Sequence, residues 1–396
     1  MDTYRHFFPI LALGAALLLA ALAAAPVFAR FRLPAPAAFL AVGIVVGALG
    51  IAPTEDISTV TIERLGAVAL FVILFKGGLD TGLRAARAAA RPILSLGIVG
   101  TAATAAGLAV VARYVLGLDW TVAVLVAVAL APTDPAAVYA VLRRSESSRA
   151  RTILEGESGV NDPAAIALMV AVIAAVGDAS SSYGHAVFQF FEELVIGSAA
   201  GVAGGAVLIL VLRKTDGHGV VNGVSVLLAA VLLGGITTSL HGSGFLAVYI
   251  AGLVVSDTWE ARSVTLSEVP AALSTTAEVV LFSTLGAALT PLVGLENVGY
   301  GVALTLVTVF VVRPLVTAAC LVNAGVTRRE RALISWGGLR GAVPLLLAAY
   351  PALESLEEAD AVAATVLVAT AASLVVQGAT LPYFAERAIP DAHEAA

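Results

Sequence analysis

Long apolar runs follow one another along almost the whole chain, and short polar segments separate them. Thirteen runs have approximate limits 7–28, 34–52, 64–83, 92–112, 119–142, 153–176, 188–212, 219–240, 242–256, 273–290, 298–322, 331–349 and 359–382. A helix of about 20 apolar residues spans the hydrocarbon core of a bilayer and satisfies its own backbone hydrogen bonds. The series therefore predicts an all-α polytopic membrane protein with about 13 transmembrane helices.

The composition agrees with this class. The chain is 59% hydrophobic and 13% charged, whereas soluble domains carry roughly 25% charged residues. The net charge of -6 gives no reason to expect a nucleic-acid partner. Cys320 is the single cysteine, so a disulfide within the chain is excluded, and no Cys/His cluster suggests a metal centre. We expect no cofactor.

The first apolar run resembles a signal peptide, with Arg5 before it and small residues near Ala29. However, Asp2 weakens the basic start, and Arg30 and Arg32 follow the run. We therefore interpret residues 7–28 as a retained first span.

Basic residues are distributed unevenly between alternate loops. One side holds only Arg5, Arg64 and Arg113, and Lys76, Arg313 and Arg340 lie within runs. All the others lie on the opposite side: Arg30, Arg32, Arg84, Arg87, Arg91, Arg143, Arg144, Arg149, Arg151, Arg213, Lys214, Arg262, Arg328, Arg329, Arg331 and Arg387. Since basic loops stay in the cytoplasm, we expect the N-terminus outside and the C-terminus inside.

An internal repeat relates the two halves of the chain. The sequence Phe-Leu-Ala-Val begins at Phe39 in the second run and at Phe245 in the ninth, and Leu-Phe occurs at Leu70 and Leu281. An offset of seven spans is odd, so the copies have opposite orientations, which predicts inverted repeats of spans 1–6 and 8–13. So few matches in an Ala-, Leu- and Val-rich chain also fit shared membrane composition. Inverted repeats are typical of secondary transporters.

Helix breaks are predicted at matching places in the two halves. In the fifth run, Pro132 and Pro135 flank Thr133 and Asp134, and two prolines three residues apart prevent a regular helix. The twelfth run contains Gly-Gly-Leu-Arg-Gly-Ala-Val-Pro from residue 337 to 344, where glycines let the backbone leave the helix. The fifth and twelfth runs are equivalent under the seven-span offset.

Broken helices that cross at the midplane leave partial charges at their ends. Asp134 would lie against the positive N-termini and Arg340 against the negative C-termini. Both residues then act as electrostatic staples of the crossover. Direct ion ligation by Asp134 remains an equal alternative, whereas for Arg340 the structural role is favoured.

The sequence from residue 154 to 168, LEGESGVNDPAAIAL, places carboxylates within a span. Intramembrane carboxylates are costly and face a polar cavity or a partner charge. On a helix, Ser158 and Asp162 share a face as i and i+4 neighbours, with Glu157 and Asn161 on the adjacent face. Asp162, the Ser158 hydroxyl and backbone carbonyls near Thr133 would form an all-oxygen cage for a hard monovalent cation. A carboxylate that holds a cation or a proton, but not both, suffices for coupled exchange.

Glu157 needs a partner charge if it is ionised, and Arg313, which precedes Pro314 inside the eleventh run, is the candidate. We expect this pair to be structural. Glu278, Lys76 and Asp80 are weaker candidates without an assigned role, and Tyr249 is interpreted as packing.

Four motifs in order resemble the first cation:proton antiporter family, the NhaP-type sodium/proton exchangers. These are APTDP from residue 131, GESGVND from 156, the later Arg-Pro at 313 and GGLRGAVP from 337; FLAVYIAGLVVSD from 245 and LFKGGL from 74 are also similar. The resemblance implies an NhaA-like fold of two inverted six-helix repeats with broken, crossing helices, within one domain over 1–396. A scaffold (about 1–90 and 188–290) would form a homodimer, a core bundle (about 91–176 and 298–382) would move against it, and 383–396 would form a short cytoplasmic tail.

The resemblance also implies roles for the site residues. Asp162 is the ion- and proton-carrying carboxylate and Asn161 its companion; Thr133 and Ser158 resemble Na+ ligands, Glu157 and Arg313 a structural pair, and Asp134 and Arg340 the crossover charges. An Asn-Asp pair is associated with electroneutral one-for-one exchange. The expected function is therefore antiport of Na+ (or Li+) against H+ by alternating access in a prokaryotic cell (inner) membrane, with no enzymatic activity.

Three alternatives remain open. K+/H+ exchange would use the same machinery, since cage size separates the two cations by fractions of an ångström. A cation channel would need a continuous pore, and no filter-like segment is present. An intramembrane aspartyl protease would need two facing aspartates. Asp134 and Asp162 can be imagined as that pair, but Asp134 lies in a proline-flanked break, and both residues fit the antiporter site without extra assumptions.

Overall fold

The computed structural model describes residues 2–51, 59–134, 149–177, 183–214, 219–260 and 264–388. These residues form helices and no strand, as predicted. The main helices are α1 (Asp2–Arg30), α2 (Ala35–Ala48), α3 (Thr59–Thr81), α4 (Ala90–Tyr114), α5 (Trp120–Ala129), α6 (Arg149–Gly177), α7 (Tyr183–Lys214), α8 (Gly219–Ser239), α9 (Gly244–Glu260), α10 (Val264–Leu289), α11 (Leu295–Cys320), α12 (Arg328–Trp336), α13 (Ala342–Leu347) and α14 (Ala359–Ala388). Three short helical segments, Leu83–Ala88, Thr290–Leu292 and Tyr350–Leu353, lie between them.

Each of the thirteen predicted runs coincides with helical residues in the described ranges. Seven of these helices contain stretches long and apolar enough to cross a membrane: Leu11–Arg30, Ala90–Tyr114, Arg149–Val176, Phe188–Leu212, Glu268–Leu292, Leu295–Cys320 and Ala359–Ala388. Shorter apolar helices and α3 account for the remaining runs. The chain is therefore a multi-pass membrane protein.

The two predicted breaks are present where the structure describes them. Helix α5 ends at Ala129, and the backbone from Ala131 to Asp134 is not helical. In the twelfth run, α12 ends at Trp336 and α13 begins at Ala342, with the glycine-rich segment 337–341 between them. Pro135, the rest of the fifth run to residue 142, and the loop residues Arg143, Arg144 and Arg262 lie outside the described residues.

The sequence did not indicate two π-helical segments. They occupy Ser95–Gly100 within α4 and Thr308–Val312 within α11, the fourth and eleventh spans. These spans are equivalent under the seven-span offset, so the irregularity itself follows the repeat. Helix α14 also runs six residues beyond its predicted limit of 382, which makes the first part of the predicted tail helical.

The contacts between helices also repeat under the seven-span offset between the two halves of the chain. Helix α2 packs on α10, and its counterpart α9 packs on α3. A second set of contacts repeats in the same way. Helix α4 packs on α6, and the counterpart of α4, α11, packs on α14. Helix α5 packs on α14, and its counterpart α12 packs on α6. The first set belongs to the residues predicted as scaffold and the second to those predicted as core. Helix α6 also contacts α3, α7 and α9, so it lies where the two groups meet.

Glycines allow the closest of these crossings. Gly252 of α9 packs against the backbone of α3 at Phe75 and Gly78, and a β-carbon at 252 would lie 3.1 Å from the Gly78 Cα. Backbone atoms cannot move aside as a flexible side chain does, so this crossing depends on the missing side chain.

Gly252→Ala is therefore predicted to destabilise the protein by about 1–3 kcal/mol, the usual effect of overpacking a close contact. Thermal unfolding in detergent, followed by tryptophan fluorescence, measures the effect. Gly235→Ala on α8 is the matched control, because a β-carbon there meets no atom within 4 Å. Equal melting temperatures for the two variants would contradict the close crossing.

Candidate ion-binding site

The two broken segments cross and hydrogen-bond to each other. The Asp134 backbone N–H donates to the Leu339 carbonyl at 2.8 Å, and the Ala342 N–H donates to Asp134 Oδ2 at 3.1 Å. Gly341 packs so closely on the Asp134 carboxylate that any β-carbon would overlap it. The carboxylate therefore lies at the start of α13, where unpaired N–H groups favour negative charge.

Arg340 lies in the glycine-rich segment between α12 and α13. Its side chain is 3% exposed, and Nη1 donates to the Gly338 carbonyl at 2.8 Å. Gln377 Nε2 donates to the Trp336 carbonyl at 2.7 Å, and Ser373 accepts from the Arg340 N–H at 3.0 Å. Together these groups satisfy two carbonyls and one N–H group that the broken helix leaves without helical partners.

Helix α6 brings Ser158, Asn161 and Asp162 to the break in the fifth run. Ser158 Oγ donates to the Thr133 carbonyl at 2.7 Å, and Asn161 Nδ2 donates to Thr133 Oγ1 at 2.8 Å. All four residues are at most 4% exposed. Pro163 has no N–H to donate to the Gly159 carbonyl, so the helix leaves one further oxygen without its usual partner close to Asp162.

Two oxygens of this group have no hydrogen bond to any described residue: Asp162 Oδ1 and Asn161 Oδ1. Buried polar atoms are normally satisfied, so each such exception needs a ligand, a solvent molecule or a proton to explain it. A carboxylate, an amide oxygen, two hydroxyls and a carbonyl are hard oxygen donors of the kind that hard cations prefer. The arrangement can therefore hold a small cation or a proton at Asp162.

Glu157 faces away from this group and meets Arg313 of α11. Arg313 Nη1 donates to Glu157 Oε1 at 2.6 Å and Nη2 donates to Oε2 at 2.7 Å, a bidentate pair with both side chains at most 3% exposed. Gly338 packs directly on the guanidinium, and the Ile334 carbonyl accepts a further bond from Nη2 at 3.4 Å. The pair thus joins α6, α11 and the second broken helix.

A narrow cavity of about 30 Å³ lies in front of Asp162, between α6 and the helices α3, α9, α10 and α13. Its polar lining consists of Asp134, Glu155, Ser158, Asp162, Tyr249 and Glu278. Sequence reasoning assigned no role to Glu155 and treated Tyr249 as packing. The helical spacing was the missed signal: Glu155 is seven residues before Asp162 and shares its face of the helix.

Lys76 and Asp80, left without a role by the sequence, form an ion pair along α3. On α6, Arg151 Nε donates a hydrogen bond to Glu155 Oε1 at 2.5 Å. These charges lie toward the cytoplasmic ends that the basic loops predict for α3 and α6.

Comparison with known proteins agrees with the fold and the motifs. The family model described as "Sodium/hydrogen exchanger, transmembrane" matches residues 16–387. The chain is 33% identical over 386 residues to the K(+)/H(+) antiporter NhaP2 of Shewanella sp. (strain MR-4), covering 96% of this chain and 66% of the relative. It is 28% identical over 372 residues to the K(+)/H(+) antiporter NhaP of Alkalimonas amylolytica, covering 93% and 65%.

The chain thus spans about two thirds of the length of these relatives. Among solved structures, the sodium proton antiporter MjNhaP1 of Methanocaldococcus jannaschii has a TM-score of 0.81 at 24% identity, with 98% of each chain covered. This likeness confirms the predicted fold class.

The buried pair gives a stability prediction. Glu157→Gln is expected to destabilise the protein by about 3–5 kcal/mol, because it leaves the Arg313 charge buried without a partner. Replacing both members, as Glu157→Leu with Arg313→Met, is expected to destabilise less than either single change. Thermal unfolding in detergent measures Glu157→Gln, the double variant and its two single changes.

Asp119→Asn is the matched control, since it breaks an exposed pair with Arg113 and is expected to change stability by about 0–1 kcal/mol. A Glu157→Gln variant as stable as this control would show that the buried pair does not hold the core together.

Proposed function

Because the chain belongs to the sodium/hydrogen exchanger family, we propose that it exchanges a monovalent cation for a proton across a membrane, with Asp162 carrying each in turn. The family is one of transporters and not of enzymes. The observation that carries the proposal is the buried Asp162 carboxylate, which faces a cavity and has an oxygen without a hydrogen bond among the described residues. Intramembrane ionisable groups of this kind are functional by default.

The proposed chemistry needs a single carboxylate. When Asp162 is ionised, it binds the cation together with Ser158, Thr133 and Asn161, whose oxygens replace part of the hydration shell. When Asp162 is protonated, its carboxyl group is neutral and no longer supplies the negative charge that the cation needs in order to bind. Since only these two loaded forms cross, one positive charge moves each way and the exchange is electroneutral.

The rest of the site has a supporting role in this proposal. Asp134 and Arg340 neutralise the ends of the broken helices, so those ends do not attract or repel the carried ions. Glu157 and Arg313 neutralise each other in a bidentate pair. In this proposal the negative charge of Asp162 is not neutralised by another side chain, so it is available to bind the cation or the proton.

Alternating access is proposed to occur by movement of α4–α6 and α11–α14 against α1–α3 and α7–α10. In this scheme, the cavity beside α6 is the path between Asp162 and one side of the membrane. We further propose a homodimer formed through the second set, in the inner membrane of a prokaryotic cell, with the N-terminus outside and the C-terminus in the cytoplasm. The uneven distribution of basic loops supports this orientation.

Na+ (or Li+) is the proposed first substrate, in keeping with the oxygen-rich site and the family description. K+ is the second candidate, because the matched proteins of Shewanella and Alkalimonas amylolytica carry the name K(+)/H(+) antiporter. Both candidates use the same carboxylate.

The test uses purified protein in liposomes with an imposed pH gradient, to which Na+, Li+ and K+ are added in turn. Collapse of the gradient identifies the substrate, and an unchanged rate when valinomycin and K+ clamp the membrane potential supports electroneutral exchange. Asp162→Asn is predicted to lower the rate to that of empty liposomes, because an amide neither titrates nor supplies the negative charge.

Asp119→Asn is the control, since that carboxylate is 93% exposed and does not line the cavity beside Asp162. Exchange at the normal rate by a folded Asp162→Asn variant would refute the assignment. No gradient collapse with any of the three cations would refute the exchange function itself.

A further inference from the structure

One face of α6 lines the cavity with three residues in succession. Glu155, Gly159 and Asp162 are spaced by four and three positions, so they follow one another along the helix on the same side. All three line the same cavity. A cation that moves along this face from the Glu155 end must pass Gly159 before it reaches Asp162.

The side chain of Tyr249 occupies that intermediate position. Tyr249 belongs to α9, across the boundary from α6, and it is 2% exposed. The far end of its ring lies against Gly159 so closely that any β-carbon at 159 would overlap the Cζ, Cε1 and Cε2 atoms. Gly159 is thus a seat for the ring, and no larger residue fits there while the ring is in place.

The phenol oxygen of Tyr249 has no hydrogen-bond partner among the described residues, although it is buried in a cavity lined by carboxylates. The Thr81 hydroxyl lies near this oxygen and donates its own proton to the Gly77 carbonyl at 2.8 Å. A tyrosine hydroxyl kept only for packing is normally satisfied when buried. Apart from the nearby Thr81 hydroxyl, the described residues leave this oxygen open to a group that enters the cavity.

The charges beyond Tyr249 mark the direction of entry. Glu155 is bound to Arg151, and the Lys76–Asp80 pair lies within electrostatic range of Glu155. Exposure of the side chains rises from 4% for Glu155 to 14% for Lys76 and 29% for Asp80. The path therefore opens toward these residues, and Tyr249 separates them from Asp162.

We propose that Tyr249 is a gate of the ion path: its ring, seated on Gly159, closes Asp162 off from the mouth at Glu155, and it must leave that seat for a cation to pass. The proposal rests on the proposed exchange function, for which it adds a residue of the scaffold to the path. Since ring and seat belong to the two sets of helices that are proposed to move, their separation is coupled to the change of access.

Access to position 162 can be measured without transport. In a Cys320→Ser background, Asp162→Cys introduces a single thiol, which is labelled with a trimethylammonium-ethyl methanethiosulfonate reagent. Adding Tyr249→Ala is expected to raise the labelling rate by about tenfold or more, as for opening a gating element. Tyr249→Phe keeps the ring and is expected to leave the rate unchanged.

Glu155→Cys in the same background is the matched control, because it lies on the mouth side of the ring. Its labelling is expected to change by less than about twofold when Tyr249 is replaced, since no gate protects it. If Tyr249→Ala does not fold, Tyr249→Leu also shortens the side chain and serves in its place. Equal labelling at 162 with and without the ring overturns the gate, whether or not the protein exchanges ions.

The seat is tested by transport. Gly159→Ala is expected to lower turnover by about tenfold, because its methyl group keeps the ring from closing, and the double variant with Tyr249→Ala is expected to match Tyr249→Ala alone. A Gly159→Ala effect that persists undiminished without the ring would show that the glycine acts through something else. Gly204→Ala is the control, since the three atoms nearest to a β-carbon there all belong to the flexible Leu233 side chain.

Discussion

The arrangement of the core depends on the bidentate ion pair between Glu157 and Arg313, which neutralises two buried charges and joins the helices that carry the site. An uncompensated charge is very unfavourable in a membrane interior, whereas a hydrogen-bonded pair of opposite charges is tolerated. The pair connects α6 to α11, and through Gly338 it also holds the second broken helix in position. Because Glu157 is neutralised in this way, a second carboxylate five residues later need not share its counter-charge.

The crossing of the broken helices depends on the same balance. Asp134 accepts a hydrogen bond from the Ala342 N–H at the start of α13, and Arg340 donates to the Gly338 carbonyl just beyond the end of α12. Each charge compensates a helix end that the break exposes. Asp134 and Arg340 are therefore both compensated by helix ends. The carboxyl of Asp162 differs from them, because one of its buried oxygens has no hydrogen-bond partner in the described part of the chain.

Much of this arrangement could be predicted from the sequence. Prolines at 132 and 135 and the glycines from 337 to 341 prevent regular helix, and these local effects need no knowledge of the fold. The seven-span offset then showed that the two breaks occupy equivalent spans. Glu157 and Arg313 were predicted to pair because each needs an opposite charge inside the membrane. Periodicity and charge within single helices carried these predictions.

What the sequence did not provide depends on contacts between distant helices. The π-helical segments in α4 and α11 have no clear residue signature, and they relate two spans more than 200 residues apart. Tyr249 was assigned to packing because its neighbour Gly159 lies on another helix, and only the fold shows that the glycine makes room for the ring. Glu155 was overlooked although its spacing from Asp162 was visible, because no residue beside it in the sequence marked a cavity.

The most direct measurement of the central claim is a count of the protons released when a cation binds. Calorimetric titration of the detergent-solubilised protein with the transported cation, in buffers of different ionisation heat, gives this number. Below the pH at which Asp162 is fully ionised, the account predicts release approaching one proton per bound cation, and none from Asp162→Asn. Cation binding whose heat is the same in every buffer would contradict it, because the two ions would then not share one carboxylate.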